Sequence, residues 1–295
     1  MRESNSGVFG KKASKYDVNI LNFIITKVVN GGEQIMAFVE WNRVGKEGVI
    51  AEIVLNRPEA RNAFTTKMAE EILEICQTID KSNIRAVLMT SSNDTSFCSG
   101  ADLKERNNMT ETEWKEQHEL FQKMFNSIQD MRQPVIAVVD GYALAGGFEI
   151  VLNCDMIVAA ETAIFGLPEV TRGIMPGGGG TRLLAKRIGV HRAKEWVCTG
   201  SMVSGEEADR AGLLNILAKS NELREKALEL AGKIAVNAPL AVQNCKASID
   251  ELFGMPNKEA RKIEISYYNR CINTEDRLEG VRAFVEKRLP QFSGK

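Results

Sequence analysis

Two buried-strand segments, each followed by a glycine-bearing loop, limit what this chain can fold into. Residues 84–89 (IRAVLM) are apolar but for Arg85, and residues 134–139 (PVIAVV) are apolar throughout. Runs of this kind fit strands covered on both faces, as in a mostly parallel sheet flanked by helices. The first is followed by SFCSGADLKER (96–106), which carries Gly100 and Ala101. The second is followed by a turn and then by Gly146 and Gly147, at the head of an apolar helix, FEIVLNC. Glycine lets a ligand approach the backbone closely, and a helix N-terminus offers unpaired N–H groups and the positive end of a dipole. Two such N–H groups from separate loops can hold a carbonyl oxygen that becomes negative. Taken singly, each cluster reads better as a tight turn that packs a helix against a strand.

The remainder alternates strand and helix. AFVEW and VIAEIVL read as a strand pair joined near residues 45–48, and Met68, Ile72, Ile75 and Ile79 mark an amphipathic helix. A long polar helix is predicted from about Glu111 to Met131, and a further strand over 156–159. Ser204 with Glu207 forms a capping-box pattern ahead of a short helix ended by Gly212. Helices then follow to the C-terminus. The predicted fold class is α/β, with strand–strand–helix repeats over residues 36–200 and a helical region over 201–295. Residues 1–35 differ from the rest. They read as an extension, poorly ordered or non-native, with Met36 the expected natural start.

Composition narrows the function. Formal charge is −1, so nothing global points to nucleic acid or to a membrane surface. The six cysteines form no CxxC pair, which fits reduced thiols in a cytoplasmic compartment and no metal site. The two histidines, His118 and His191, lie in polar helical surroundings, so the search for acid–base groups moves to carboxylates. Glu149 falls in the first turn of the helix that Gly146 opens, and Glu169 follows the Gly166-Leu167-Pro168 turn in an otherwise apolar run. Carboxylates in such settings are costly to bury, and shifted acidities often mark function. Glu149 could equally be a favourable first-turn acid, and Glu169 could pair with Arg172 or Arg182.

Five motifs in order decide between these readings: LNRPEARNAF, FCSGADLKE, DGYALAGGFEIVLNCDMIVAA, FGLPEVTRGIMPGGGGTRLL and DRLEGVRAFVEKR. Together they resemble the enoyl-CoA hydratase/isomerase (crotonase) superfamily from Phe38 to Lys287. The resemblance implies a crotonase-like ββα spiral core, a helical C-terminal trimerisation region, and a homo-trimer or homo-hexamer. It implies an acyl-CoA thioester substrate, with coenzyme A part of the substrate and no other cofactor. The backbone N–H groups of Ala101 and Gly146 match the oxyanion hole, and Glu149 and Glu169 the catalytic pair. Ala60, Asp102, Leu103 and Lys104 match positions along the CoA site, and Phe284 and Lys287 a pair that reaches the nucleotide of a neighbouring subunit. Retention of both glutamates points to short-chain enoyl-CoA hydration. Hydration of a branched, methylglutaconyl-type thioester and double-bond isomerisation are the alternatives within the family. A non-catalytic thioester- or RNA-binding scaffold is the alternative outside it. Phe148 and Ala145 depart from the small residue and the glycine common at those positions and are expected to reshape the acyl pocket.

Overall fold

The computed structural model describes residues 37–295; the extension expected over 1–35 lies outside them. The described chain opens with an antiparallel hairpin, β1 (Val39–Val44) and β2 (Ile50–Leu55). Between it and the first helix lies the RPEARNAF turn, organised by a buried asparagine. The Asn62 side chain accepts from the Arg57 N–H at 2.7 Å and donates to Ser91 Oγ at 2.7 Å and the Phe97 carbonyl at 3.0 Å. Helix α1 (Thr66–Asp80) is capped by Thr65, which accepts from the Met68 N–H, and buries Met68, Ile72, Cys76 and Ile79 on one face, as helical periodicity requires.

Three strand–strand–helix turns follow. The first is β3 (Ala86–Ser91), β4 (Ser96–Cys98), the short α2 (Leu103–Arg106) and α3 (Glu111–Gln129), whose N-terminus carries a Thr110/Glu113 capping box. The second is β5 (Val135–Val139), β6 (Tyr142–Leu144) and α4 (Gly146–Asn153). The third is β7 (Met156–Ala160), β8 (Ile164–Gly166), a 3-10 turn (Pro168–Arg172), α5 (Gly180–Ile188) and α6 (Val190–Thr199). Each turn adds its first strand to a six-stranded sheet and its second, shorter strand to a four-stranded one. The large sheet then ends with β10 (Ile216–Ala218), in the order β1-β2-β3-β5-β7-β10, and the small one with β9 (Met202–Ser204), in the order β4-β6-β8-β9. In the small sheet β4, β6 and β8 are mutually parallel. Their C-terminal ends therefore open at the same edge.

The α/β class and the repeated ββα turns agree with the sequence reading, but the boundary at residue 200 does not. β9, α7 (Gly205–Arg210) and β10 still belong to the two sheets, and uninterrupted helix begins only with α8 (Leu223–Ala235). Strands of three residues are too short to show an alternating pattern against the helices around them. The C-terminal helices α9 (Pro239–Leu252), α10 (Asn257–Ile272) and α11 (Glu275–Glu286) close the chain. Neither α9 nor α10 contains a buried residue, and Ile249, Phe253, Ile265, Tyr268 and Val281 face outward. None of the described helices is long and apolar enough to cross a membrane.

Candidate active site

The shared edge of the small sheet is where the sequence-derived candidates meet. The end of β4 leads into Gly100-Ala101, the end of β6 into Ala145-Gly146, and the end of β8 into the 3-10 turn bearing Glu169. Adjacent parallel strands lie about 4.8 Å apart, so their first loop residues are neighbours. Phe64 ties the first loop down, donating its N–H to the Gly100 carbonyl at 2.9 Å and accepting from the Asp102 N–H at 2.9 Å. A methyl group on Gly100 would lie 3.3 Å from the Gly146 nitrogen. Ala145 holds φ 50° and ψ −128°, a conformation that strains a residue with a side chain, and its N–H donates to the Gly166 carbonyl at 2.8 Å. Among the described residues, the N–H groups of Ala101 and Gly146 donate to no protein acceptor. Two adjacent, unspent amide donors are the arrangement an oxyanion hole needs.

Gly147 explains why the second loop cannot carry a side chain. A methyl group there would lie 2.2 Å from the Cys98 carbonyl oxygen, backbone against backbone across β4. Gly147→Ala is expected to lose about 3 kcal/mol or more of stability, read from the denaturation midpoint. Turnover should fall as well, because the shift separates the two donors. An alanine variant with wild-type midpoint and turnover would show that the contact is not limiting.

Glu149 lies in the first turn of α4 and is buried. Its Oε1 accepts from the Gly178 N–H at 2.6 Å and the Gly180 N–H at 2.9 Å. This accounts for the glycine run: a methyl on Gly178 would meet the Phe125 ring at 2.3 Å, and one on Gly180 would sit 3.0 Å from the Glu149 Oε1 itself. Burial raises the Glu149 pKa above the ordinary carboxylate range, while the amides of Gly180, Gly178 and Gly177 pull it back. Glu169 is held differently. It pairs with neither Arg172, which binds Thr171, nor Arg182, which reaches Gln129. Its Oε2 is buried without a hydrogen-bond partner, and burial, with a further push from the Glu149 charge, raises its pKa to about 7. One carboxylate is fixed by loop amides, and the other has a buried oxygen without a partner and feels the charge of the first.

The remaining candidates are more scattered. Ala60 ends the 3-10 turn Pro58–Ala60. Asp102 caps α2; its carboxylate accepts from Arg57 at 2.7 Å and from the Lys104 N–H at 2.8 Å, so it is committed within the chain. Leu103 and Lys104 are exposed beside it, and Phe284 and Lys287 are exposed at the end of α11. Phe148 is buried in the core against Phe165, ring centroids 5.2 Å apart. Two further residues escaped sequence reasoning. Asn153 is a lone polar side chain one turn beyond Glu149, on a helix otherwise apolar, and that spacing was its signal. Arg106 lies between the Trp114 and Phe121 rings, at 5.2 and 5.1 Å; nothing in ADLKER marked it.

Comparison with known proteins resolves the family. The enoyl-CoA hydratase/isomerase family model matches residues 45–295. The chain belongs to the enoyl-CoA hydratase/isomerase family. This enzyme is similar to "Enoyl-CoA hydratase domain-containing protein 2, mitochondrial" of Homo sapiens, at 42% identity over 256 residues, covering 85% of this chain and 88% of that one. It is similar to "Crotonyl-CoA hydratase" of Syntrophomonas wolfei, at 38% identity over 251 residues, covering 85% and 96%. The crystal structure of enoyl-CoA hydratase from Bacillus anthracis matches with a TM-score of 0.85 and 38% identity, over 88% of this chain and 100% of that one. The fold of this family member is thus that of its solved relatives.

Proposed function

We propose that this enzyme is an enoyl-CoA hydratase, adding water reversibly and syn across a 2-enoyl-CoA to give 3-hydroxyacyl-CoA. The observation that carries this reading is the contrast between the two buried carboxylates beside a pair of unspent amide donors. In the proposed mechanism the thioester oxygen accepts from the Ala101 and Gly146 N–H groups, which stabilise the enolate-like charge formed as oxygen adds at C3. Glu149, fixed through Oε1, offers its other oxygen to orient and deprotonate water. Glu169, with a pKa near the working pH, delivers a proton to C2 and takes one back in the reverse direction. Isomerisation needs only one of these carboxylates, so the intact pair favours hydration. The test is loss of conjugated-enone absorbance from crotonyl-CoA on addition of purified enzyme. No loss with crotonyl-CoA or any other 2-enoyl thioester would sink the reading.

In the same reading, Ala60, Leu103 and Lys104 border the CoA moiety, and Asp102 acts through its backbone. Phe284 and Lys287 reach the nucleotide of a neighbouring subunit, with Lys287 a point charge on phosphate. The outward apolar side chains of α9 and α10 support a trimer or a hexamer built from it. The six unpaired cysteines support a reducing, cytoplasmic setting.

A second reading, hydration of a branched thioester of the methylglutaconyl type, is favoured by Arg106. Its Nε donates to Gln117 Oε1 at 2.8 Å, and the half-buried guanidinium forms no salt bridge among the described residues. Phe121, beneath it, packs edge to face on Phe64, whose ring edge lies against Gly146. A methylglutaconyl group ends in a carboxylate that such a cation suits. Under this reading Arg106→Met lowers kcat/KM for the carboxylate-bearing thioester about 10–100-fold, the worth of a charge-assisted hydrogen bond, and spares crotonyl-CoA. Equal loss on both substrates would remove Arg106 from substrate selection.

A further inference from the structure

Glu149 belongs to a closed loop of hydrogen bonds that runs through a residue outside the reacting pair. Asn153 ends α4 and is buried. Its Nδ2 donates to the Glu149 carbonyl at 2.8 Å, one turn back along the helix, and to the Gly178 carbonyl at 2.8 Å, across in the glycine loop. The Gly178 N–H in turn donates to Glu149 Oε1. One amide group thus joins the helix that carries the carboxylate to the loop that holds it. From the other side α3 fixes the same loop: Gln122 Nε2 donates to the Gly177 carbonyl, and the Phe125 ring fills the space against Gly178.

We propose that Asn153 is a positioning residue that sets the aim of the Glu149 carboxylate, and so controls hydration separately from proton transfer at C2. The inference rests on the hydratase reading above. Four adjacent glycines leave residues 177–180 with no side chains of their own to hold a conformation, and glycine carries the largest backbone freedom of any residue. The Asn153 and Gln122 bonds supply the missing restraint. Without Asn153, the Gly178 amide is free to turn from Oε1, and Glu149 loses its fixed orientation toward water. Glu169 and Ala101 follow other strands, and Gly146 sits at the opposite end of α4 from Asn153, outside the loop of bonds that Asn153 closes. Misplacement of a catalytic group by about 1 Å can lower a rate on the order of 10²-fold.

Two reactions of one protein test this. Hydration of crotonyl-CoA needs both carboxylates. Exchange of the α-proton of a saturated thioester, butyryl-CoA in D2O, needs only a base at C2 and the two amide donors: Glu169 removes the proton, and the carbanion takes up a deuteron. Asn153→Leu, close in size and without the donor, is expected to lower the hydration kcat roughly 10²-fold with KM nearly unchanged and α-exchange retained. Gln122→Met, at a half-buried position on α3 that accommodates a side chain of the same length, is expected to give a smaller loss of the same selective kind, and decides the matter where N153L does not fold. Loss of both reactions in step would show Asn153 to be merely structural and overturn the proposal. So would full hydration in N153L, or full hydration in Q122M when N153L is unfolded. A wild-type protein that neither hydrates nor exchanges would overturn the hydratase reading and this proposal together; wild-type hydration with unselective variants would overturn this proposal alone.

Discussion

Glu169→Gln is expected to lower the hydration kcat by roughly 10²–10⁴-fold, the range of a well-placed acid–base group, with little change in KM for the thioester. The amide keeps the size of the side chain but cannot exchange a proton at C2. The same substitution is expected to stabilise the fold at pH 8. Burial holds the Glu169 pKa at about 7, against an ordinary value of 4.5, so between these two pH values the folded chain retains a proton that the unfolded chain has released. Stability therefore falls as pH rises through that window. Glutamine removes the loss, which amounts to about 1–3 kcal/mol once solvent screening is allowed for. Denaturation midpoints at pH 5 and pH 8 check it: the advantage of the variant over wild type should be largest at pH 8. An advantage equal at both values would mean that Glu169 titrates as an ordinary carboxylate.

Glu149→Gln is expected to lower the hydration kcat over a similar range, about 10²–10⁴-fold, for a different geometric reason. The Gly178 and Gly180 N–H groups demand an acceptor at Oε1, so the glutamine oxygen occupies that place. Its NH2 then stands where the second carboxylate oxygen stood, and a donor faces the water that needs an acceptor. Parallel assays of crotonyl-CoA hydration and butyryl-CoA α-exchange distinguish the two variants. E169Q should lose both reactions, and E149Q chiefly the first. An E149Q protein with wild-type hydration would take Glu149 out of the mechanism.

The long elements were legible because they carry their own periodicity. The strand segments around Val87 and Val138, the α1 stripe of Met68, Ile72 and Ile79, and the Ser204 cap all lie where their patterns put them. The small sheet was not legible. Its strands have three residues each and are held by neighbours distant in sequence, so no local pattern announces them. The error at residue 200 follows, since β9 and β10 look like breaks between helices. Of the site, the glycines and both glutamates stood out by residue type in apolar surroundings. What no pattern contained was how differently the two carboxylates are held: one fixed by amides of a loop nearly thirty positions on, the other left without a partner.

The three parallel strand ends also carry a lesson about change. Ala101, Gly146 and Glu169 each follow a different strand of one small sheet, and the spacing of those strands is dictated by backbone hydrogen bonds common to every sequence. The distance between the Ala101 and Gly146 amides and the Glu169 turn is thus inherited from the peptide ladder and not from side-chain fit. An altered residue at one strand end can bring in new chemistry while the other two stay in register. A scaffold of this kind tolerates experiment: its reaction can drift one position at a time, with the geometry of the rest underwritten by the main chain.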